Sequence, residues 1–377
     1  QRYQGGLWVA LFLILLLPFF FLRTGSGYLT PAMPVLGLKA SLPRAQLAWE
    51  YYGQAGHVPC WAGGGLVKKQ LIMGDAPAVL VALAADGAVL WQEETFAPFK
   101  AISNGRQILL AADNGQVSEF SCEQGLLWSE ATGWVTQALT LASEGEVAVA
   151  QGPVLENESN LLERVRLYSA QGELLAEHRL RNSSALCIVD TPGAWLVSSV
   201  ILAQDQPRGQ LLRLTASQTE TQTLWHSEDM IHALVAGNQG VATAAGNKVH
   251  IVPLEGTAYD IQLKNTVLDL AWGPDEFLAV IQAGDSPLAP GYVALLTGSG
   301  DIIWQRRLRG PCRALAVRGD EVLTADNSTV YAYSIKGDIN WCYESKAPLQ
   351  GIYPLADKKE VVVTTVGKHL LLLEPPD

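Results

Sequence analysis

The chain has 377 residues, 49% of them apolar and 17% charged, with a formal net charge of −11. That composition is ample for a packed core and excludes wholesale disorder. Residues 1–44 carry Arg2, Arg23, Lys39 and Arg44 but no acid, so the other 22 basic residues face all 37 acidic ones. An acidic globular part without a Lys/Arg run argues against nucleic acid as a partner.

From Gly6 to Leu22 the chain reads GLWVALFLILLLPFFFL, without a charge and between Arg2 and Arg23. At about 1.5 Å per residue such a helix reaches roughly 26–30 Å, enough for a bilayer core. Residues 1–24 are therefore expected to form a membrane or assembly helix. Its apolar surface comprises Trp8, Leu11, Phe12, Leu15, Phe19 and Leu22, and Pro18 is tolerable in a membrane helix. No small-residue cleavage site follows and Arg23 stands where one would lie, which favours a retained anchor over a signal peptide. No Cys is near, which speaks against a lipid-modified N-terminus. Residues 25–44, rich in Pro and Gly, read as an extended tether.

Beyond residue 45 a short motif recurs. DGAVLW ends at Trp91, GLLW at Trp128, QTLW at Trp225, GDIIW at Trp304 and GDINW at Trp341. AQLAWEYY adds Trp49, and two degenerate copies place Ala176 and either Tyr259 or Asp260 at the Trp position. With Asp260 the intervals are 42, 37, 48, 49, 35, 44 and 37 residues. Between the Trp marks, short β-rich runs alternate with turn pairs. Ala314 to Trp341, for example, divides into ALAV, EVLTA, TVYAYS and GDINW with turns at RGD, DN and KG. Four strands per repeat of 40-odd residues is the signature of a β-propeller.

Counting sets the closure. Gln46–Tyr52 has no strands before it, while Leu349 to Glu374 supplies three strands and no fourth. Joined, they complete one blade, so residues 45–377 should form an all-β, eight-bladed propeller with strand 46–52 completing the last blade, 349–374. The Gly of each motif permits a tight turn, and Trp49, Trp91, Trp128, Trp225, Trp304 and Trp341 are expected to dock neighbouring blades.

A-x-D-G-x-x-L-W at Ala84 to Trp91, with GDIIW and GDINW, resembles the tryptophan-docking repeat of the pyrroloquinoline-quinone-like propellers. That superfamily includes quinoprotein alcohol dehydrogenases and a propeller lipoprotein of bacterial outer-membrane assembly. The dehydrogenase branch implies a quinone, a calcium or lanthanide ion, a catalytic Asp and usually an adjacent Cys–Cys pair. Cys60, Cys122, Cys187, Cys312 and Cys342 include no adjacent pair and no CxxC. Asp190, Asp275 and Asp326 read as turn carboxylates. His226 and His232, six residues apart, match no ligand spacing. No catalytic, cofactor or metal residue is expected.

The resemblance thus implies a non-catalytic, extracytoplasmic interaction scaffold, with a role in envelope assembly. Its expected contacts are a bilayer or other apolar helices through residues 6–22, and an unidentified protein on one propeller face. Loops at Pro153–Glu163 and Gln204–Gln210 should protrude toward that protein. Asn157, Asn182 and Asn327 head Asn-x-Ser/Thr triplets, which matter only on a glycosylating route. A second reading is a surface-filament subunit whose apolar helices form the core, prompted by the missing initial Met; it would make the chain an oligomer through that helix. Gly5, Gly25 and Gly27 count against it, since they end the helix early. A third reading is a small quinoprotein oxidoreductase.

Overall fold

The computed structural model describes residues 42–376, apart from segments 53–58, 62–69, 76–78, 85–86, 95–98, 104–106, 113, 122–124, 154–161, 202–205, 219, 239, 254–255, 274–275, 356–358 and 367–368. The expected helix 1–24 and most of the tether lie outside the described residues. Among the described residues there is no α-helix, and no helix is long and apolar enough to cross a membrane.

The described residues form eight four-stranded antiparallel sheets. Sheet 1 comprises Pro59–Trp61, Gln70–Asp75, Val79–Ala84 and Val89–Glu94; sheet 2, Phe99–Ser103, Gln107–Ala112, Gln116–Ser121 and Gly125–Ala131. Sheet 3 comprises Trp134–Leu141, Val147–Pro153, Leu162–Tyr168 and Leu174–Arg181; sheet 4, Ser183–Thr191, Ala194–Ile201, Arg208–Leu214 and Gln222–Ser227. Sheet 5 comprises Ile231–Gly237, Gly240–Ala245, Lys248–Pro253 and Tyr259–Gln262; sheet 6, Val267–Trp272, Leu278–Gln282, Tyr292–Leu296 and Ile302–Arg307. Sheet 7 comprises Ala314–Arg318, Glu321–Ala325, Thr329–Ser334 and Ile339–Glu344; sheet 8, Leu349–Pro354, Val361–Thr365, His369–Glu374 and Gln46–Tyr52.

The second strand of each well-described sheet is buried on both faces, as in GVATAA of sheet 5, LAVIQ of sheet 6 and VVVTT of sheet 8. These runs do not alternate because each face meets a neighbouring sheet, so nearly every position is small or apolar, Gln282 being the exception. Fourth strands are largely exposed, as in IIWQRR of sheet 6 with only Trp304 buried, because their outer edge meets water. The packing follows the chain: the first strands of sheets 2 to 8 touch in order. Val81 and Leu83 of sheet 1 then share a core with Val362, Leu370 and Leu372 of sheet 8. The result is a β-propeller.

Gln46–Tyr52 pairs antiparallel with His369–Glu374, with Gln46 opposite Glu374 and Tyr52 opposite His369. Just before it, Ala45 N donates to the Cys342 carbonyl (3.2 Å) and Cys342 N to that of Pro43 (3.1 Å). The chain therefore enters along the outer strand of sheet 7 and passes into sheet 8. Antiparallel connectivity puts the start of every first strand, and every loop between second and third strands, at one end of the ring, here the leading face. Loops between third and fourth strands lie on the trailing face.

Candidate interaction surface

The repeated Trp residues occupy the seams. A Cβ on Gly87 of sheet 1 would lie 2.9 Å from the Trp49 ring of sheet 8, one on Gly172 of sheet 3 would lie 2.6 Å from Trp128 of sheet 2, and one on Gly337 of sheet 7 would lie 2.8 Å from Trp304 of sheet 6. Trp304 Nε1 also donates to the Ile335 carbonyl (3.0 Å). Trp225 stacks on His250 of sheet 5 at 4.3 Å between ring centroids, and Trp341 lies in a core shared by sheets 7 and 8. The side chain of Trp91 lies outside the described residues.

The register explains the spacing of the motif. Each fourth strand that carries a Trp has its β-bulge just before it: Ile303 between Ile302 and Trp304, and Asn340 between Ile339 and Trp341. The bulge re-aims the indole across the seam. Ala176 sits at the equivalent bulge, opposite Leu167, and His178 two residues on donates through Nε2 to the Thr215 carbonyl of the next sheet (3.1 Å). The fourth strand of sheet 5 lacks a bulge. There Tyr259, opposite Ile251, donates its hydroxyl to the Gly298 carbonyl, while Ile261 lies over the turn glycine of sheet 6, where a Cβ on Gly300 would be 2.7 Å from it. Gly298 precedes Gly300 by two residues, as Ile335 precedes Gly337, so Tyr259 bonds the same point of the turn that Trp304 bonds. Asp260, one residue on, instead accepts from His250 Nδ1 (2.6 Å) and pairs with Lys248 (3.3 Å).

A second series of bulges escaped the sequence analysis. In the first strands of sheets 3, 4, 5, 6 and 8 the register skips Gln137, Leu186, His232, Leu268 and Gln350, each near the leading face. These residues and their neighbours link successive sheets. Lys100 Nζ donates to the Gln137 carbonyl (2.6 Å), Ser184 Oγ to Gln137 Oε1 (2.8 Å), and His232 Nε2 to the Val267 carbonyl (2.6 Å). Burial holds the Asp269 carboxyl above its usual range, against a bond from Leu270 N. No periodic sequence signal marks these positions, because the skipped residue is of no single type: Gln in sheets 3 and 8, Leu in sheets 4 and 6, His in sheet 5.

The turn reading of Asp326 holds: its carboxylate accepts from Ser328 N (3.0 Å) and Thr329 N (2.8 Å). Asp190 lies inside the first strand of sheet 4, where burial and then Glu146 raise its carboxyl; Asp275 lies outside the described residues. Cys187 and Cys312 are free thiols, and burial raises Cys312 to about 11, far from a reactive thiolate. Arg208, His226, Glu228 and Gln206 line a cavity of 350 Å³ at the leading end of sheet 4. Among the described residues no three His, Cys, Asp or Glu side chains converge as a metal site.

A family model described as outer membrane protein assembly factor BamB matches residues 46–266. The chain belongs to this PQQ-like family of β-propellers. Among solved structures it is similar to the C-terminal WD40 domain of Sif2, with TM-score 0.69, 11% identity, and 89% of this chain and 99% of that one covered. It is also similar to Sqt1 of Saccharomyces cerevisiae, with TM-score 0.63, 12% identity, and 87% and 98% covered. BamB of Moraxella catarrhalis gives TM-score 0.59, 11% identity, and 88% and 99% covered. At such identities these three likenesses concern the fold. A search of the curated proteins gives no match.

Proposed function

We propose that this chain is a membrane-anchored, extracytoplasmic scaffold: an eight-bladed ring that binds another protein and catalyses nothing, in the assembly of the cell envelope. The observation that carries the reading is the match to the BamB family model over more than half of the chain. The apolar run Gly6 to Leu22 supports the anchor.

Membranes from cells that express the full chain test each part. Retention through an alkaline carbonate wash is expected, as is digestion of the ring by protease supplied on the non-cytoplasmic side. Release into the wash removes the anchor, and protection from the protease removes the location. Gentle solubilisation should bring down an envelope-assembly protein in stoichiometric amount. Sustained dye reduction after reconstitution with quinone and calcium would end the non-catalytic reading.

A further inference from the structure

The leading face of sheets 4 to 6 carries four large apolar side chains in water: Leu186, Met230, Leu268 and Leu288. Two are the extra residues of first-strand bulges, and Met230 begins the turn into sheet 5. Cys187, next to Leu186, reaches the His232 carbonyl (3.7 Å), and His232 reaches the Val267 carbonyl beside Leu268, so the residues follow one another across two seams.

Leu288, 82% exposed, tips the loop between the second and third strands of sheet 6, Ala283 to Gly291. That loop is braced on both sides. Ala283 N donates to the Thr266 carbonyl (2.8 Å) and Asn265 Nδ2 to the Ala283 carbonyl (2.9 Å). Opposite, Gly291 N donates to the Gly310 carbonyl (3.0 Å) and Leu308 N to the Gly291 carbonyl (2.9 Å). Gly291 is required at this approach, since a Cβ there would lie 2.4 Å from Cys312 Sγ. With Pro287 and Pro290 beside it, Leu288 is held out on a preformed projection, so little ordering entropy remains to be lost when it is covered.

The same bracing segments carry exposed cations: Lys264 on one side, Arg309 and Arg313 on the other, with Lys346 at the corresponding turn into sheet 8. Among the described residues none of the four has a carboxylate within ion-pair distance, although the protein's net charge is −11. Asp326, the nearest acid in the turn that packs on Gly310, spends its carboxylate on Ser328 N and Thr329 N. Glu228 and Asp229 precede Met230, at the opposite end of the apolar group. Asp285, also exposed, lies on the Leu288 loop itself, so the surface is apolar in the middle with one acid there and basic on the flanking turns toward sheets 6 to 8.

We infer that this part of the leading face is a docking site for an acidic segment of a partner protein, with apolar side chains set next to its carboxylates. The apolar members cover Leu186, Met230, Leu268 and Leu288, and the carboxylates meet Lys264, Arg309, Arg313 and Lys346. Desolvating the apolar centre supplies affinity, while the cations set orientation and association rate. The inference rests on the scaffold reading and adds the face and the partner chemistry.

The test pans a display library of short random peptides on the full chain in phosphatidylcholine nanodiscs, then titrates selected peptides by fluorescence anisotropy. Selected peptides should be net negative with large apolar residues beside the acids. Leu268→Asp with Leu288→Asp should weaken them about tenfold or more. Arg309→Glu with Arg313→Glu should weaken them about tenfold and flatten the salt dependence. Leu174→Asp, on the trailing rim, should change nothing. Neutral or basic selected peptides overturn the inference. So does binding lost only with Leu174→Asp, which leaves the scaffold reading standing with its site elsewhere. Displacement of the peptides by phosphatidylglycerol vesicles identifies a lipid contact and overturns it as well. If no peptide is selected the docking site falls; if no partner co-purifies either, the scaffold reading falls with it.

Discussion

Glu119 shows how one seam residue ties packing to pH. Its carboxylate is fully buried on the third strand of sheet 2, where Oε2 accepts from Trp128 Nε1 (2.7 Å) and Oε1 has no partner among the described residues. Burial dominates the indole bond and raises the group from 4.5 to about 7. Between those values the folded protein keeps a proton that the unfolded chain has released, so stability must fall as pH rises through that window. Across the whole interval the loss is about 3 kcal/mol. Melting temperatures measured across the window should decline for the native chain. Glu119→Gln, which keeps an acceptor for the indole, should flatten the decline, and equal slopes would refute the assignment.

At the scale of elements, the motif is a device made of two neighbouring strands. A bulge turns the Trp of one sheet outward, and a glycine in the next sheet's turn leaves room for it. Gly337 needs both of its freedoms: its φ is +83°, and a Cβ would collide with Trp304. Gly319 has φ +52° with nothing within 4 Å of a Cβ. Gly319→Ala should therefore cost about 1 kcal/mol, from the left-handed backbone alone. Gly337→Ala should cost about 2–4 kcal/mol, because overpacking is added. Denaturant titrations of the two variants decide it; equal costs would mean that the indole moves aside freely. Facing Ala176, the corresponding turn of sheet 4, between Leu214 and Gln222, has no glycine, whereas the turn of sheet 6 facing sheet 5 keeps Gly300.

For the whole molecule, the seam between sheets 8 and 1 joins the two ends of the described chain. Trp49 lies over Gly87 there, on a strand paired with His369–Glu374 and held at one end by His369 Nδ1 donating to Glu50 (2.5 Å). Trp49→Ala strips the cover from that seam and should cost about 3 kcal/mol. Because opening this seam frees the first and last sheets together, amide exchange should accelerate in Gln46–Tyr52, His369–Glu374 and sheet 1. Sheet 5, across the ring, should keep its protection. Uniform acceleration would mean that the closure opens only with global unfolding.

The repeat was legible because packing imposes it. Most seams use a large flat side chain at a fixed point, so the Gly and Trp marks return at intervals of 35 to 49 residues, and the strands between them follow from alternation and turn chemistry. The pairing of Gln46–Tyr52 with His369–Glu374 could be counted from the same marks. Sequence alone left Tyr259 and Asp260 undivided, because only register shows which residue lies opposite Ile251. It named the loops Pro153–Glu163 and Gln204–Gln210 but was silent about the apolar and basic residues of the leading face. Leu186, Met230, Leu268 and Leu288, with Lys264, Arg309, Arg313 and Lys346, are scattered over 161 residues and share no spacing. Circular packing alone gathers them at one end, since a surface answers to where chain segments meet rather than to the period that builds them.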